Sequence, residues 1–423
     1  MRRAVLALAV LAAIAVVYWR AIGAYFYEDD FAWLMSTFGF RPQNILNLAA
    51  YNHFYRPVVE LYFWVAAPLF GGSPALFHAA SIGLHALNAL LLFAFARRAS
   101  GSERYAYVSA WFFVGMPGYV EAIAWVGALA EPIGAVFGCL ALWSFLGFAT
   151  SGGVAWRVVS LAAFALALLT HESSVVFFPV LVLAAWAFTD AAGPRTWRTY
   201  ARWFWPYAVI LAAYLAVDLP INARNYVVGE SVYRPGLHVV RNSLRYIVTL
   251  YVGRHDLPSY VGTALVVVIL LARGSRRVRF ATCWMVLALM PFAPFTWANT
   301  SRYLYLPAMG FAMLLAELIE WTDRALAARI GAAARRAVIT LLVAAVGIRF
   351  CLFAAEGVEH FAERAEVYRQ FVLDVRARYP HLPQDADIQI DKAVADRLHH
   401  RFLQDAIRWE YRDPSIDLVP VSR

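Results

Sequence analysis

Lysine and cysteine are scarce in this chain, and several common active-site motifs are missing. Lys392 is the only lysine, and Cys139, Cys283 and Cys351 lie far apart within apolar segments. This spacing argues against a disulfide framework and a zinc site, and it is typical of buried free thiols. The sequence has no glycine-rich phosphate loop, no nucleophile elbow and no long repeat array, so none of the sites built from those motifs is indicated.

Charged residues are also few. Only 15% of the 423 residues are charged, 62% are hydrophobic and the mean hydropathy is +0.57. Apolar runs recur from end to end, which predicts an all-α polytopic membrane protein. The net charge of +9 does not indicate nucleic-acid binding, because the arginines cluster between the apolar runs. Alanine is abundant and arginine replaces lysine at every basic position but one, which suggests a GC-rich bacterial source and therefore the bacterial inner membrane.

The arginine clusters predict the direction of each crossing. Because basic residues are enriched in cytoplasmic loops, the N-terminus, with Arg2 and Arg3, is expected in the cytoplasm and the C-terminus outside it. The first apolar segment is interpreted as an uncleaved span, because no small-residue cleavage site follows it. About eleven membrane-spanning helices are expected, at residues 4–22, 75–96, 105–120, 131–149, 157–171, 174–189, 203–220, 259–272, 280–297, 303–321 and 337–354.

Two further apolar stretches do not fit this parity and are predicted to lie in the membrane interface. They are residues 58–70, within an external loop at 23–74, and residues 238–253, within an external stretch at 221–258. From Glu356 onward the chain becomes charged and polar. We therefore expect a membrane domain over 1–355 and a small α/β extracytoplasmic domain over 356–423 that docks on it. Its predicted elements are helices at 359–378 and 394–409 and strands at 387–390 and 416–419.

Three consecutive carboxylates, Glu28, Asp29 and Asp30, follow the first span directly. On the predicted topology they emerge at the external face, close to the lipid headgroups. Ionisable groups near lipid are costly to maintain and therefore indicate a functional site. A solvated acidic cap on an exposed helix end explains the triplet about as well.

Other polar side chains are predicted to gather at the same face. Those at or near the outer ends of spans are His53, Arg56, Glu121, Glu131, His171, Glu172 and Arg302. Within the second span, His78, His85 and Asn88 share one face and are expected to point into the bundle or a polar cavity. Interhelical hydrogen bonding is the simpler explanation for His85 and Asn88.

These residues favour chemistry on an amphipathic, phosphate-bearing substrate. Arg302 stands beside Tyr303 and Tyr305; a guanidinium matches phosphate geometry, and tyrosines can lie along a lipid or a sugar. An interfacial arginine extending to the headgroups is the plainer explanation of Arg302. One of two adjacent carboxylates is a suitable proton acceptor for a hydroxyl, while cations stabilise a departing phosphate.

An ordered set of motifs over residues 1–320 resembles the GT-C superfamily of polyprenyl-phosphate-dependent glycosyltransferases. Within it, the similarity is to the protein O-mannosyltransferase-like branch, including the TMTC type. The segments that carry the resemblance, besides the acidic triplet, are Asn52-His53-Phe54-Tyr55-Arg56-Pro57, Phe77-His78, Leu84-His85-Ala86-Leu87-Asn88, Glu121-Ala122, Ala130-Glu131, His171-Glu172-Ser173 and Arg302-Tyr303-Leu304-Tyr305-Leu306-Pro307.

The resemblance implies a polyprenyl-phosphate-linked sugar as donor and a protein, glycan or lipid as acceptor, in contact with membrane lipids and without nucleic acid. It implies that Asp29, with Asp30 beside it, deprotonates or orients the acceptor as general base, and that Arg302, with Arg56 as a second candidate, binds the donor phosphate. The resemblance does not imply a required cofactor: some GT-C enzymes use a divalent metal and others do not, so Mg²⁺ or Mn²⁺ on Asp29 and Asp30 stays open. His171 replaces the lysine usual in that branch, and no tetratricopeptide array follows the last span, so contacts to the donor and the acceptor differ there.

Three other functions remain open at this point. A transporter or flippase of lipid-linked saccharides would need polar residues through both halves of the bilayer. A glycan ligase or polymerase would depend on external arginines such as Arg224, Arg234 or Arg241 rather than on Asp29. A scaffold without activity is the third, and the acidic pair argues against it only weakly.

Overall fold

The computed structural model describes residues 2–50, 54–189, 196–297 and 300–421, with side chains from residue 8 onward except that of Ala50. The first half is helical: α1 (Arg2–Ile22), α2 (Asp29–Met35), α3 (Pro57–Phe70), α4 (Pro74–Ser100), α5 (Glu103–Gly115), α6 (Glu121–Ala124), α7 (Ala130–Ser151), α8 (Val154–Leu168) and α9 (Phe177–Phe188). The second half comprises α10 (Trp197–Asn222), α11 (Tyr226–Gly229), α12 (His238–Tyr251), α13 (Leu257–Arg273), α14 (Arg276–Leu289), α15 (Tyr305–Ala327), α16 (Ala332–Arg378), β1 (Asp387–Asp391), α17 (Lys392–Leu398), α18 (His400–Tyr411) and β2 (Asp417–Val421).

The helices have the length and composition of membrane spans. Among the described residues, five are long and apolar enough to cross a bilayer: Pro74–Ser100, Val126–Ser151, Trp197–Asn222, Ser301–Ala327 and Ala332–Arg378. Shorter apolar helices are Leu8–Ile22, Pro57–Phe70, Val154–Leu168, Glu172–Phe188 and Leu257–Arg273. The prediction of an all-α polytopic membrane protein with a small strand pair near its C-terminus is confirmed.

Helix ends follow local sequence signals. The side chains of Ser102, Asp256 and Ser275 accept hydrogen bonds from backbone N–H groups in the first turns of α5, α13 and α14. These contacts satisfy donors that a helix start leaves free. At the other ends, α4 and α7 stop at Gly101 and Gly152, whose φ angles of 70° and 71° suit glycine.

Glycine also allows close helix packing. A Cβ added at Gly310 of α15 would lie 2.7 Å from the carbonyl oxygen of Ala281 in α14. The two helices therefore approach each other at backbone distance, as in other membrane bundles. Helices α4, α5, α7 and α15 form the centre of this core, and their buried side chains include Phe95, Phe113 and Met309.

Charged side chains join the helices at one end of the bundle. Arg277 of α14 lies 3.3 Å from Glu317 and 3.6 Å from Glu320, both on α15. Asp323, one turn further on, pairs with Arg104 of α5 at 2.7 Å and with Arg335 of α16 at 3.3 Å. These acidic groups lie three to five turns along α15 from its first residue, and the candidate site described below lies at the opposite end.

Two predicted spans differ from the structure. Residues 280–297 are not one helix: α14 ends at Leu289, and Pro291 and Pro294 cannot donate the backbone hydrogen bonds that would continue it. Residues 337–354 and 359–378 are not separate helices either, because α16 runs unbroken through both. Gly347 does not interrupt α16; its missing side chain makes room for Trp111. The predicted domain boundary at 355/356 therefore falls inside α16. A helix can continue through a change from apolar to charged residues.

The C-terminal segment packs on the membrane bundle. Strands β1 and β2 pair in parallel, and α17 and α18 lie between them in sequence. The predicted helix 394–409 is interrupted at His399, whose φ of 60° separates α17 from α18. Leu403 and Trp409 of α18 share a hydrophobic cluster with Phe31 of α2 and Phe63 of α3. A short segment thus completes its core with side chains from the bundle.

Candidate active site

A cavity of about 510 Å³ lies where α2, α18 and the starts of α7 and α15 meet. Its lining combines ionisable and aromatic side chains. The ionisable ones are Asp29, Arg56, Glu131, His171, Glu172, Arg302 and Arg401. The aromatic ones are Trp33, Phe54, Tyr226, Phe292, Phe295, Trp297, Tyr303 and Phe402. The structure therefore brings together several residues that the sequence analysis proposed separately.

Asp29 is the first residue of α2 and faces this cavity. It is half-buried and makes no hydrogen bond or ion pair with another residue that the structure describes. The preceding residue, Glu28, has φ 42° and ψ −111°, a conformation that non-glycine residues rarely adopt. This strained turn directs Asp29 and Asp30 to different surroundings.

Asp30 is fully buried and does not line the cavity in the described structure. Its Oδ2 accepts a hydrogen bond from the backbone N–H of Tyr27 at 2.8 Å, and its Oδ1 accepts one from the N–H of Gly127. Burial raises the pKa of Asp30, and the two amides oppose that rise. Asp30 thus holds the acidic turn against residues 126–128, a structural role that the sequence did not indicate.

Arg56 and Glu172 form a two-point ion pair inside the cavity. Arg56 Nε lies 2.9 Å from Oε2 of Glu172, and Nη2 lies 2.5 Å from Oε1. The two side chains are 13% and 24% exposed. Burial lowers the pKa of Arg56, but the Glu172 carboxylate, together with Glu131 and Tyr303, raises it overall, so the guanidinium stays charged. Arg56 is therefore already neutralised by a carboxylate.

His171 lies between α8 and the helical segment that starts at Glu172. Its Nδ1 accepts a hydrogen bond from the N–H of Ser173 at 3.1 Å, so the proton of the neutral ring lies on Nε2. Nε2 lies 3.5 Å from Glu131 and 3.8 Å from Glu172. Burial lowers the pKa of His171 to about 3, and the nearby Arg56 acts in the same direction. His171 is therefore neutral at physiological pH.

Arg302 is the cation of the bundle that remains without a carboxylate partner in this cavity among the described residues. Its guanidinium lies 4.5 Å from the ring centre of Trp125 and 5.2 Å from that of Tyr303. Tyr303 in turn stacks on Phe292, with 4.1 Å between ring centres. These aromatic contacts hold the guanidinium in place, and no carboxylate of the described residues forms an ion pair with it, so it can bind an anion in the cavity.

The remaining predicted site residues lie elsewhere. His78, His85 and Tyr305 are buried in the bundle, and His85 Nδ1 lies 3.0 Å from the Tyr305 hydroxyl. That contact matches the simpler prediction of interhelical hydrogen bonding. Glu121 accepts a hydrogen bond from the N–H of Ser301 at 2.9 Å and so supports the segment that carries Arg302. His53 lies outside the described residues.

Sequence reasoning missed the side chains that the C-terminal segment contributes. Arg401 and Phe402 of α18 line the cavity opposite the bundle, more than 370 positions after Asp29. Tyr226 and Trp33 were missed as well, because isolated aromatic residues are common near membrane surfaces. No signal in the sequence distinguishes these residues from their neighbours.

Solved structures resemble this chain over nearly its whole length. ArnT from Cupriavidus metallidurans, bound to undecaprenyl phosphate, has a TM-score of 0.60 and 15% identity, with 99% of this chain and 86% of ArnT covered. The Archaeoglobus fulgidus oligosaccharyltransferase, in complex with Zn and sulfate, has a TM-score of 0.55 and 12% identity, with 97% of this chain but only 62% of the other covered. This chain has a GT-C fold.

The second oligosaccharyltransferase structure, tethered with an acceptor peptide containing the NVT sequon, has a TM-score of 0.51 and 12% identity, with 96% of this chain and 63% of the other covered. No protein-family profile and no curated protein matches the sequence. The GT-C fold, together with the apolar helices, makes this chain a multi-pass membrane protein.

The residues of this GT-C cavity do not fit a metal site on the acidic pair. Both oxygens of Asp30 accept hydrogen bonds from backbone amides, and its fully buried carboxylate does not line the cavity that Asp29 faces. Among the described residues, no group of three His, Cys, Asp or Glu side chains is placed to hold a metal ion.

Proposed function

We propose that this chain is a glycosyltransferase that moves a sugar from a polyprenyl-phosphate carrier to an acceptor at the extracytoplasmic surface of the bacterial inner membrane. One observation carries the proposal: the carboxylate of Asp29 and the guanidinium of Arg302 line the same cavity, and neither forms an ion pair with another described residue. The GT-C fold and the ordered motifs of the protein O-mannosyltransferase-like branch support it.

The proposed reaction is a single inverting displacement. A hydroxyl oxygen of the acceptor attacks the anomeric carbon of the sugar and forms the new glycosidic bond. The bond between that carbon and the phosphate oxygen breaks, and polyprenyl phosphate leaves with the bonding electrons. Asp29 receives the proton of the acceptor hydroxyl, acting as general base. Arg302 binds the phosphate and stabilises its growing negative charge.

Arg56 has a different part in this proposal. Because Glu172 already neutralises it, Arg56 adds less positive charge to the cavity than Arg302 does. We infer that the pair positions the wall on which the phosphate rests, while Arg302 is the principal phosphate ligand. Glu131 and the neutral His171 lie beside the pair and can donate to or accept from sugar hydroxyls.

The orientation in the membrane rests on the distribution of arginines. Arg97 and Arg98 end α4, and Arg276 and Arg277 begin α14, both at the end of the bundle opposite the cavity. Basic residues favour the cytoplasmic side, so the cavity end is proposed to face outward. A polyprenyl chain would then lie in the outer leaflet, with its phosphate at the level of Arg302.

The substitution Asp29→Asn tests the proposal. Membranes containing the full chain would be supplied with undecaprenyl phosphate bearing a radiolabelled hexose, and transfer of label to water-soluble or protein material would be measured. We expect Asp29→Asn to abolish transfer at normal expression, because an amide cannot accept the proton. Asp374→Asn, on an exposed part of α16, is the matched control and should remain active. Full activity of Asp29→Asn would remove the general base from the mechanism.

The structure gives little support to the other functions. Arg224 donates a hydrogen bond to the carbonyl oxygen of Leu48, and neither it nor Arg234 or Arg241 is among the described residues lining the cavity. A ligase dependent on these arginines would need a different site. A flippase would move labelled donor across sealed vesicles without forming a covalent product, which the same labelled substrate can detect.

A further inference from the structure

A second cavity, of about 480 Å³, adjoins the candidate active site. It lies between α2 and α18 and is lined by Ala32, Met35, His400, Arg401, Gln404, Asp405 and Arg408. The sequence motifs of the membrane bundle do not include any of these residues. Its position beside the helix that carries Asp29 makes it a candidate for binding the second substrate.

Two of its charged side chains can contact a ligand because they form no hydrogen bond or ion pair with another described residue, and the other polar side chains hold α18 in place. Arg408 donates to Asp417 and to the carbonyl oxygen of Ile416, and Gln404 also donates to Asp417. Arg401 and Asp405, by contrast, make no hydrogen bond or ion pair with another described residue. The guanidinium of Arg401 and the carboxylate of Asp405 attract each other across one turn of α18, and both face the cavity on a helix fixed by its neighbours.

The two cavities adjoin along α2. Asp29, Ala32, Trp33 and Ser36 face the first cavity, and Ala32 and Met35 face the second. Side chains three or four positions apart lie on neighbouring parts of a helix surface, so the two sets of α2 side chains adjoin at Ala32. Arg401 also lines both cavities. A molecule bound beside Arg401 and Asp405 can therefore extend a group toward Asp29.

We propose that this second cavity binds the acceptor and that the acceptor is a saccharide. This inference rests on the proposed function. Sugar hydroxyls both donate and accept, so adjacent hydroxyls can donate to Asp405 and accept from Arg401. Met35 and Ala32 offer an apolar surface to the C–H face of a sugar ring. A simple anion would be opposed by Asp405, and a simple cation by Arg401.

The surrounding backbone makes a peptide acceptor less suitable. Extended peptides commonly bind by pairing with the free edge of a sheet. The walls of this cavity are α2 and α18, whose backbone groups largely hydrogen-bond within their own helices. Side chains are thus the main groups that a ligand can contact here, and that arrangement suits a compact polyhydroxylated molecule.

The test is a binding measurement on the full chain in detergent, which does not depend on transfer. Fluorescently labelled protein would be applied to an array of neutral and N-acetylated oligosaccharides and to a matched array of Ser- and Thr-containing peptides. We expect binding to a subset of the oligosaccharides. Arg401→Ala and the near-isosteric Asp405→Asn should each reduce it at least tenfold. Arg397→Ala, an exposed arginine on α17, is the control and should bind as the wild type does.

Each other outcome overturns the inference. Binding to peptides alone would assign a protein acceptor, and binding to neither array would remove the site. Equal saccharide binding by all variants would place the site elsewhere. Unfolding midpoints measured in parallel identify any variant that has lost its fold, and Arg401→Lys then replaces Arg401→Ala. Failure of the proposed function can be distinguished from failure of this inference. If the proposed function is wrong, Asp29→Asn and Arg302→Ala leave sugar transfer unchanged, regardless of which ligands bind on the arrays.

Discussion

The guanidinium of Arg56 and the carboxylate of Glu172 meet through two parallel hydrogen bonds, 116 positions apart in the chain. Arg56 precedes α3, and Glu172 begins the segment that leads into α9. The pair therefore joins the long loop after α2 to the turn between α8 and α9, and it fixes one wall of the cavity. Its two-point geometry makes it stiffer than a single ion pair.

Removing one partner of this pair should destabilise the protein more than removing both. Glu172→Ala leaves Arg56 buried and unpaired, which we expect to cost about 3 kcal/mol and to lower the apparent unfolding midpoint. The double variant Arg56→Ala/Glu172→Ala should recover part of that loss. Thermal unfolding in detergent, arranged as a double-mutant cycle, measures the coupling. Strictly additive effects would mean that the pair contributes no interaction energy.

Arg302→Ala should weaken binding of the lipid phosphate. A hydrogen bond to a charged group contributes about 1.5 to 3 kcal/mol, so affinity for undecaprenyl phosphate should fall by a factor on the order of 10 to 100. The affinity of Arg302→Lys should lie between those of the wild type and Arg302→Ala, because lysine keeps the positive charge but cannot form two parallel hydrogen bonds to the phosphate. Binding is measured with the purified chain and the lipid in detergent. Arg241→Ala, exposed on α12, is the control; an equal loss in that variant would indicate a general electrostatic effect instead.

Asp29 and Asp30 should separate into a functional and a structural residue. In Asp30→Asn the amide NH₂ must face a backbone N–H of Tyr27 or Gly127, leaving a buried donor without a partner. We expect a loss of about 1 to 3 kcal/mol in stability. Asp29→Asn, half-buried and unbonded, should change stability by less than about 0.5 kcal/mol. Unfolding midpoints of the two variants check this, and equal shifts would contradict the assignment.

His171 should make the protein less stable in acid. Its pKa is about 3 in the folded chain and about 6.5 in the unfolded chain, so below pH 6.5 the unfolded state binds more protons. Stability should therefore fall as the pH decreases from 6.5, by at most about 1.4 kcal/mol per pH unit. The unfolding midpoint of His171→Asn should depend less on pH between 7.5 and 5.5 than that of the wild type. His360→Asn, on an exposed part of α16, should keep the wild-type dependence.

The apolar runs and the arginine clusters were enough to predict the helical membrane fold. Hydropathy indicates directly which segments form apolar helices. The positions of the arginines then placed Asp29, Arg56, Glu172 and Arg302 on the same face of the membrane, and in the structure these four residues line one cavity. Both signals are local in sequence, so they could be read without the structure.

Contacts over long sequence distances could not be predicted. Asp30 differs from Asp29 only in what it touches, and its partner Gly127 lies 97 positions away. Arg401 belongs to a charged helix for which the sequence predicts a position outside the membrane but no contact with the cavity. The continuity of α16 was missed for a related reason: the change in composition at Glu356 reflects a change of surroundings, while the helix itself continues.

The unbroken α16 has a consequence for how the protein responds to its lipids. At 47 residues it is about 70 Å long, more than twice the thickness of a bilayer's hydrocarbon core. Its far part carries Arg364, which lies over Tyr27 next to the acidic turn, and leads directly into the segment that bears Arg401. Because hydrophobic thickness influences the tilt of such a rod, a change in the length of the surrounding acyl chains acts on the acidic turn and on the C-terminal segment at the same time.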